Sequence, residues 1–469
     1  MLTSLDFLRP GQTWPPPGEA ERLARYSQNR LLFEGKHEQV FDEWVKLLRD
    51  DKQATLEIVL NWHKRLSLLW ADLLLGEPPR ISAGEPNSSE QQQIERLIGG
   101  NQLHNVAYEV ALDVSCYGTG LFKVRYDGGR SIIEAQQPEV WFPVVKLDNV
   151  KEIVAHVLAW TYFENTTGVS GQKESERLKC EIHERGRITS QCYHLKNGKI
   201  GQLVEEQEQA TGVDGFLVVP VNNILTSSRV IGLDDYRDLD SILQELEIRV
   251  AQISRILDKH TDPNMYGPDT ALEQNAKTGE WDFRGGGKYF PVGSGDSPPG
   301  YVTWEGQLGA AFKQIDLLME QLYVLSETSA AAFGQLKSGL AESGTALKRL
   351  MMTPLAKVNR IRMRFDPALK KVLQLASELE VAQRARGAVK LERINITWND
   401  GLPQDDKEQA EIHSLLVQNG LMSREAALKR LFEFDADTLQ RELMRITAET
   451  NAETPLVFRP VQQRGGGDS

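Results

Sequence analysis

The chain of 469 residues is poor in cysteine: Cys116, Cys180 and Cys192 are all it has. Three thiols cannot make a disulfide framework, and they suit a reducing compartment. A long apolar run is also missing. The richest stretch, Leu66–Leu75, is short and interrupted by Ser67 and Asp72, so no bilayer-spanning helix is expected. Met1–Pro10 has neither the basic start nor the apolar core of a signal peptide. Basic residues are in deficit, with 54 Lys and Arg against 66 Asp and Glu and a net charge of −12. That balance excludes a protein that clamps nucleic acid through an all-over basic surface. What is present is ordinary globular usage, 40% hydrophobic and 26% charged, on a chain long enough for two or three cores.

Organisation follows from periodicity. Pro10, Gly11 and Pro15–Pro17 make a non-helical lead-in. Helical spacing then covers Glu19–Phe33, continues over Phe41–Leu48, and runs through Leu56–Leu75 with Val59, Trp62, Leu66, Leu69, Trp70 and Leu73 on one stripe. Gly76-Glu77-Pro78-Pro79 stops that helix, and a third is expected over Leu103–Cys116. A β section follows. Leu121–Tyr126 and Ser131–Ala135 flank Asp127-Gly128-Gly129 as a hairpin, and Val140–Val145, Ile153–Phe163, Arg177–His183, Ser190–Leu195 and Phe216–Val219 are further strands. Helices first and strands afterwards predict an α+β fold.

Tyr236–Leu257 is again helical, with Leu239, Leu243, Leu246, Val250, Ile253 and Leu257 on its stripe. A glycine- and proline-rich insert, His260–Trp304, separates it from a second long helix carrying Leu308, Phe312, Ile315, Leu318, Leu322 and Leu325. In Ser326–Thr345, 13 of 20 residues are Ala, Gly, Ser or Thr. A helix is expected from about Gly344 to Glu380, kinked at Pro354. Arg393–Trp398 alternates like a strand, three short helices follow at Asp405–Gln418, Arg424–Phe432 and Thr438–Thr447, and Arg464–Ser469 reads as a frayed tail.

Candidate chemistry is thin. Gly285-Gly286-Gly287-Lys288 lacks the hydroxyl and the helix of a phosphate loop, because Tyr289-Phe290-Pro291 follows, and it reads as a turn. Cys180, His183, Cys192 and His194 have loose zinc spacing, but on a strand Cys180 and His183 point to opposite faces. Asp234, Asp235, Asp238 and Asp240 gather at a helix start, where the helix dipole favours acid. The competing reading is a metal-dependent nucleic-acid-processing enzyme. No Ser/His/Asp or Cys/His pairing follows from spacing, so neither a catalytic residue, a metal ligand nor a cofactor site is assigned. The charge distribution says more. Lys337, Lys348, Arg349, Lys357, Arg360, Arg362, Arg364, Lys370 and Lys371 meet only Glu342 and Asp366 between residues 337 and 371. Either this is a solvated or intersubunit face paired with acidic neighbours, or part of it meets nucleic-acid phosphates.

The order of these elements resembles the portal proteins of tailed bacteriophages, over roughly Leu31 to Thr447. Asn61-Trp62-His63-Lys64-Arg65 followed by Leu73-Leu74-Leu75-Gly76-Glu77-Pro78-Pro79 is similar to the family's N-terminal helix and its ending. Tyr117-Gly118-Thr119-Gly120-Leu121-Phe122-Lys123-Val124 resembles its helix-to-strand step, and Val219-Pro220-Val221 with Gly232-Leu233-Asp234-Asp235 resembles the lead into its stem. Ser343-Gly344-Thr345-Ala346-Leu347-Lys348 is similar to the start of its tunnel helix. Pro403, Asp405-Asp406 and Asn419-Gly420-Leu421-Met422-Ser423-Arg424-Glu425 resemble the pattern before its crown.

The resemblance implies an N-terminal arm (1–30), a wing (31–235), stem helices (236–259 and 305–325) around a clip (260–304), a tunnel-loop region (326–344), a kinked tunnel helix returning to the wing (345–404), a crown (405–450) and a tail (451–469). It implies a homo-oligomeric ring, usually a 12-mer, at one capsid vertex, with double-stranded DNA in its channel. The expected partners are the large terminase subunit, a head–tail adaptor, and the major capsid and scaffolding proteins, with ATP hydrolysis left to terminase. Candidate positions are Gln335, Lys337 and Ser338 at the channel, Lys348, Arg349, Lys357 and Arg360 on a DNA-facing or intersubunit basic face, and Tyr266, Trp281, Arg284 and Lys288 at the clip. A capsid or scaffold protein without a channel would share the long helices.

Overall fold

The computed structural model describes residues 1–41, 58–168, 171–261, 308–335, 348–399, 406–432, 434 and 436–453, with short pieces between 265 and 301. The chain forms two units. One is Met1–Lys337 with Arg349–Gly401, the other Ser338–Lys348 with Leu402–Ser469.

In the first unit α1 (Ala20–Glu34) ends at Gly35, whose φ of 81° is the left-handed conformation that terminates helices. α2 (Trp62–Leu75) starts where the Asn61 side chain accepts the Lys64 N–H at 3.0 Å. Its periodic stripe began earlier in the sequence, but residues 58–61 are not helical, because the Leu60 N–H is taken by the Glu247 carboxylate at 2.9 Å. Most of the expected helix Phe41–Leu48 lies outside the described residues; Phe41 itself is buried and non-helical. β1 (Arg80–Ala83) leads into α3 (Ser89–Asn101), which periodicity did not reveal, and α4 (Leu103–Tyr117) follows. α3 hides because its buried stripe includes a polar residue: Gln93 is covered and donates to Glu380 at 2.7 Å.

α4 passes into β2 (Thr119–Asp127) at Gly118, where φ is 77° and a Cβ would sit 2.5 Å from the Gly232 carbonyl oxygen. The close passage of two backbones is why this step needs glycine. β2 and β3 (Arg130–Gln136) form the expected hairpin, Asp127 facing Arg130 across Gly128-Gly129. With β9 (Val218–Asn222) they make a sheet in the order β3-β2-β9. β4 (Trp141–Val145), β5 (Ile153–Gly168), β6 (Gly171–Glu184), β7 (Arg187–Lys196) and β8 (Lys199–Ala210) form a second, antiparallel sheet in chain order. β8 carries no apolar alternation because it is an exposed edge, and for that reason it reads as loop in the sequence.

The N-terminal arm straps this sheet. Leu2 bridges to Val144 on β4, while Gly11 donates to the Ile200 carbonyl and Ile200 to the Gln12 carbonyl on β8. Leu8 and Trp14 thereby cover Phe142, Val157, Leu178, Cys180, Tyr193 and Ile200.

α5 (Asp240–Thr261) and α6 (Leu308–Leu325) are the two long helices of the sequence reading. Between them β10 (Met265–Tyr266) pairs with β13 (Gly300–Tyr301), and β11 (Leu272–Gln274) with β12 (Trp281–Phe283). α7 (Met352–Ala382) spans 31 residues, about 46 Å, and packs along β2, β3 and β9. The helical backbone breaks at Met351, so Pro354 falls in the first turn of α7, where no carbonyl needs its missing N–H. The expected kink at Pro354 is therefore corrected to a break ahead of it, and the proline interior to the helix is Pro367. β14 (Ile394–Thr397) returns to pair with β1.

The second unit holds α8 (Asp406–Gln418), α9 (Arg424–Phe432) and α10 (Ala436–Glu453), the last longer than Thr438–Thr447 suggested. The expected tail Arg464–Ser469 lies outside the described residues.

One carboxyl of α4 is set against its surroundings. Burial, with the charges of Glu109 and Glu139, pushes the Asp113 carboxyl up to about 8. The folded chain thus keeps a proton that the unfolded chain releases near pH 4, and this component of stability falls as pH rises from about 4 toward 8. Asp113→Asn should flatten the profile of thermal unfolding over that window and gain on the wild type toward its upper end. Parallel profiles for the two proteins would refute the assignment.

Candidate functional site

The Asp234–Asp240 cluster is a junction of five elements. The Asp234 carboxylate accepts the Tyr236 and Arg237 backbone N–H groups at 3.1 and 2.9 Å and the Arg25 guanidinium of α1 at 2.8 Å. Burial would raise this carboxyl, but the bonds and charge of Arg25 and the two N–H groups hold it below the usual carboxylate range. Arg25 also reaches Asp240 at 2.5 Å, and the other oxygen of Asp240 meets His63 Nε2 of α2 at 3.2 Å. Burial lowers the His63 ring, so it is neutral and donates from Nε2.

Asp235 is held from three sides: by Lys357 Nζ of α7 at 2.9 Å, Asn223 at 2.8 Å and Ser115 Oγ of α4 at 2.8 Å. Lys357 lies 4.2 Å from the centre of the Trp70 ring and is 4% exposed. The dipole reading survives for Asp240 in the first turn of α5; Asp234 and Asp235 precede the helix and are ion-paired instead. With their oxygens engaged by Arg25, Lys357, Asn223, Ser115 and backbone N–H groups, they offer no open edge to a metal. Sequence spacing could not reveal Arg25 or Ser115, which lie more than a hundred residues away in the chain.

Directly above this junction, Leu239, Leu243 and Leu246 of α5 and Leu322 of α6 close on Leu66 of α2. The small-residue segment then begins from a fixed foot. Glu327, at φ 59°, pairs with Arg360 of α7 at 2.5 Å. The turn Ala330–Phe333 sets the Phe333 ring 5.1 Å from Trp62 and 6.1 Å from Tyr323. Gln335 is exposed beyond this foot and accepts the Tyr323 hydroxyl at 3.2 Å. Lys337 and Ser338 lie outside the described residues.

The basic stretch is largely consumed within the protomer. Arg362 bonds the Leu73 and Asn399 carbonyls, Arg364 those of Asn222 and Asn223, and Lys370 pairs with Asp366. The placement of Lys357 on a basic face is corrected: it is buried because Asp235 and Trp70 require it there. Arg360 is half-buried against Glu327, and Lys348 and Arg349 are exposed. Tyr266 lies on β10 opposite Gly300, and Trp281 on β12 opposite Gln274. Arg284, Lys288 and the Gly285–Lys288 turn lie outside the described residues.

Cys180, His183, Cys192 and His194 do not converge. Cys180 sits in the core under the arm, His183 beside Glu181, and His194 against Arg177. Among the described residues no group of three or more His, Cys, Asp or Glu could hold a metal, and no helix is long and apolar enough to cross a membrane.

The first unit is thus a packed α+β body joined to two long helices with short strand pairs between them. A family model described as phage portal protein, SPP1 Gp6-like, matches residues 16–456, and the chain belongs to that family. No curated protein sequence matches the chain. Among solved structures, a chain from the neck of an empty GTA particle computed with C6 symmetry has a TM-score of 0.46 at 11% identity, covering 79% of this chain and 89% of that one. A chain from the neck of a native GTA particle computed with C12 symmetry has a TM-score of 0.42 at 12% identity, with the same two coverages of 79% and 89%.

Removing one partner of a buried ion pair leaves the other charge uncompensated. Lys357→Ala should therefore cost about 3–5 kcal/mol in chemical denaturation, far more than Lys348→Ala on the surface. Equal small losses for the two variants would contradict the buried pairing.

Proposed function

We infer that the protein is the protomer of a portal ring at one capsid vertex, forming the channel for genome packaging and ejection. The family match over residues 16–456 carries this reading. The exposed side chains support it. Phe312, Leu317, Val324 and Leu325 of α6 and Leu257 of α5 are uncovered in the single chain, and neighbouring subunits in a closed ring would bury them. In this reading α5 and α6 are the stem, 260–304 the clip that docks first the terminase and later the head–tail adaptor, 326–344 the tunnel loop, and 405–450 the crown. The ring is a dodecamer that also meets the major capsid and scaffolding proteins.

The role is structural: the acidic cluster, the one feature that suggested a nuclease, is occupied by Arg25 and Lys357. Net acidity fits a conduit. Each phosphate gripped by Lys or Arg adds salt-dependent affinity, and a moving duplex must not be gripped. Small residues at the loop let a duplex pass close to the backbone, with Gln335, Lys337 and Ser338 nearest its phosphates.

Negative-stain images and native mass should show a closed ring with an axial opening; a strictly monomeric protein at micromolar concentration would overturn the proposal. Within an intact ring, Lys337→Ala should change DNA packaging or retention, and packaging unchanged at every salt concentration would remove Lys337 from the channel contacts.

A further inference from the structure

The five-stranded sheet ends in an edge that is only half covered. At its start β8 is closed by the arm: Trp14 donates to the Gly198 carbonyl at 2.8 Å, and residues 11 and 12 bracket Ile200. Beyond Gly201 the cover stops. Every residue from Gln202 to Ala210 is exposed, and β7 is the backbone partner of this stretch among the described residues. An extra residue at Val204, seen as a shift of register against Tyr193, separates the covered part from a regular run, Glu205–Ala210, paired with Arg187–Cys192. Six residues offer about 20 Å of open backbone, the length of an ordinary strand.

Such edges are hazards that proteins usually shorten, cover, charge, or interrupt with a bulge or a proline. This one is long, has no proline, and shows Leu203 and Val204 to solvent at its inner end. Its side chains restrict what can add to it. Among the described residues Glu205 has no side-chain partner, Glu206 accepts from Gln191 at 2.7 Å, and Glu208 is 3.4 Å from Arg187. Three carboxylates within four residues repel a second copy of the same edge, and they repel nucleic-acid phosphates.

We propose that β8 from Gln202 to Ala210 is a docking edge for an extended, lysine- or arginine-rich segment of another polypeptide, which adds to the sheet as a sixth strand. Main-chain hydrogen bonds supply the attachment, and the glutamates on both faces select for basic side chains. β8 is held chiefly by its pairing with β7, and the docking requires neither a channel nor a closed ring, so it holds or fails independently of the ring assignment.

The test uses the full-length protein with a peptide of alternating lysine and valine as the probe. Binding should saturate and slow amide hydrogen exchange across residues 202–210. Joint substitution of Glu205→Lys, Glu206→Lys and Glu208→Lys should weaken binding by about tenfold or more, with the far-ultraviolet circular dichroism of the protein unchanged. The same peptide N-methylated at every second residue keeps its charge but loses the donors of a strand, and it should not bind. Equal binding of the methylated peptide, binding retained by the triple variant, or protection that maps elsewhere would overturn the proposal, as would no binding at all.

Discussion

Arg25 bridging Asp234 and Asp240, with Lys357 closing on Asp235, is the constraint around which the first unit is organised. These charges sit where α1, α2, α4, α7 and the start of α5 converge, and each acid is satisfied from more than one direction. An ion pair buried this deeply adds little net stability over an apolar substitute. Breaking it is costly, because a carboxylate removed from its partner is left as an uncompensated charge. These bonds hold the foot of α5 in its seat.

From that seat the rest follows by packing. Leu239, Leu243 and Leu246 fix the angle at which α5 leaves the body, and Leu322 brings α6 back beside it. The return path then meets two clamps, Glu327 on Arg360 and Phe333 among Trp62 and Tyr323, in the first residues of the small-residue segment. In this chain the clamps end and glycine-rich sequence begins at Gly334. The five-stranded sheet is held separately, by the N-terminal arm bonded to β4 and β8.

Much of the fold was legible in the sequence because its helices carry long leucine stripes and its hairpins carry glycine turns. α1, α4, α6 and α9 fall within a residue or two of where periodicity puts them. Elements whose stabilising contacts are polar or absent escaped: α3, which buries Gln93, and β8, which buries almost nothing. The candidate site was legible only in part. The acidic cluster stood out as a local concentration of charge, but its counter-charges come from Arg25 and Lys357, more than a hundred residues distant on either side, and no spacing rule joins them. For the same reason Lys357 looked like part of a basic face, when burial against Trp70 and Asp235 takes it out of one.

The acidic junction acts as a coupled unit, and a double-mutant cycle on Arg25 and Asp234 tests that coupling most directly. Arg25→Met, Asp234→Asn and the double variant should show an interaction energy of at least about 1.5 kcal/mol in equilibrium unfolding, the double variant losing much less than the two singles together. Losses that add to within about 0.5 kcal/mol would contradict the account, since independent sites behave that way.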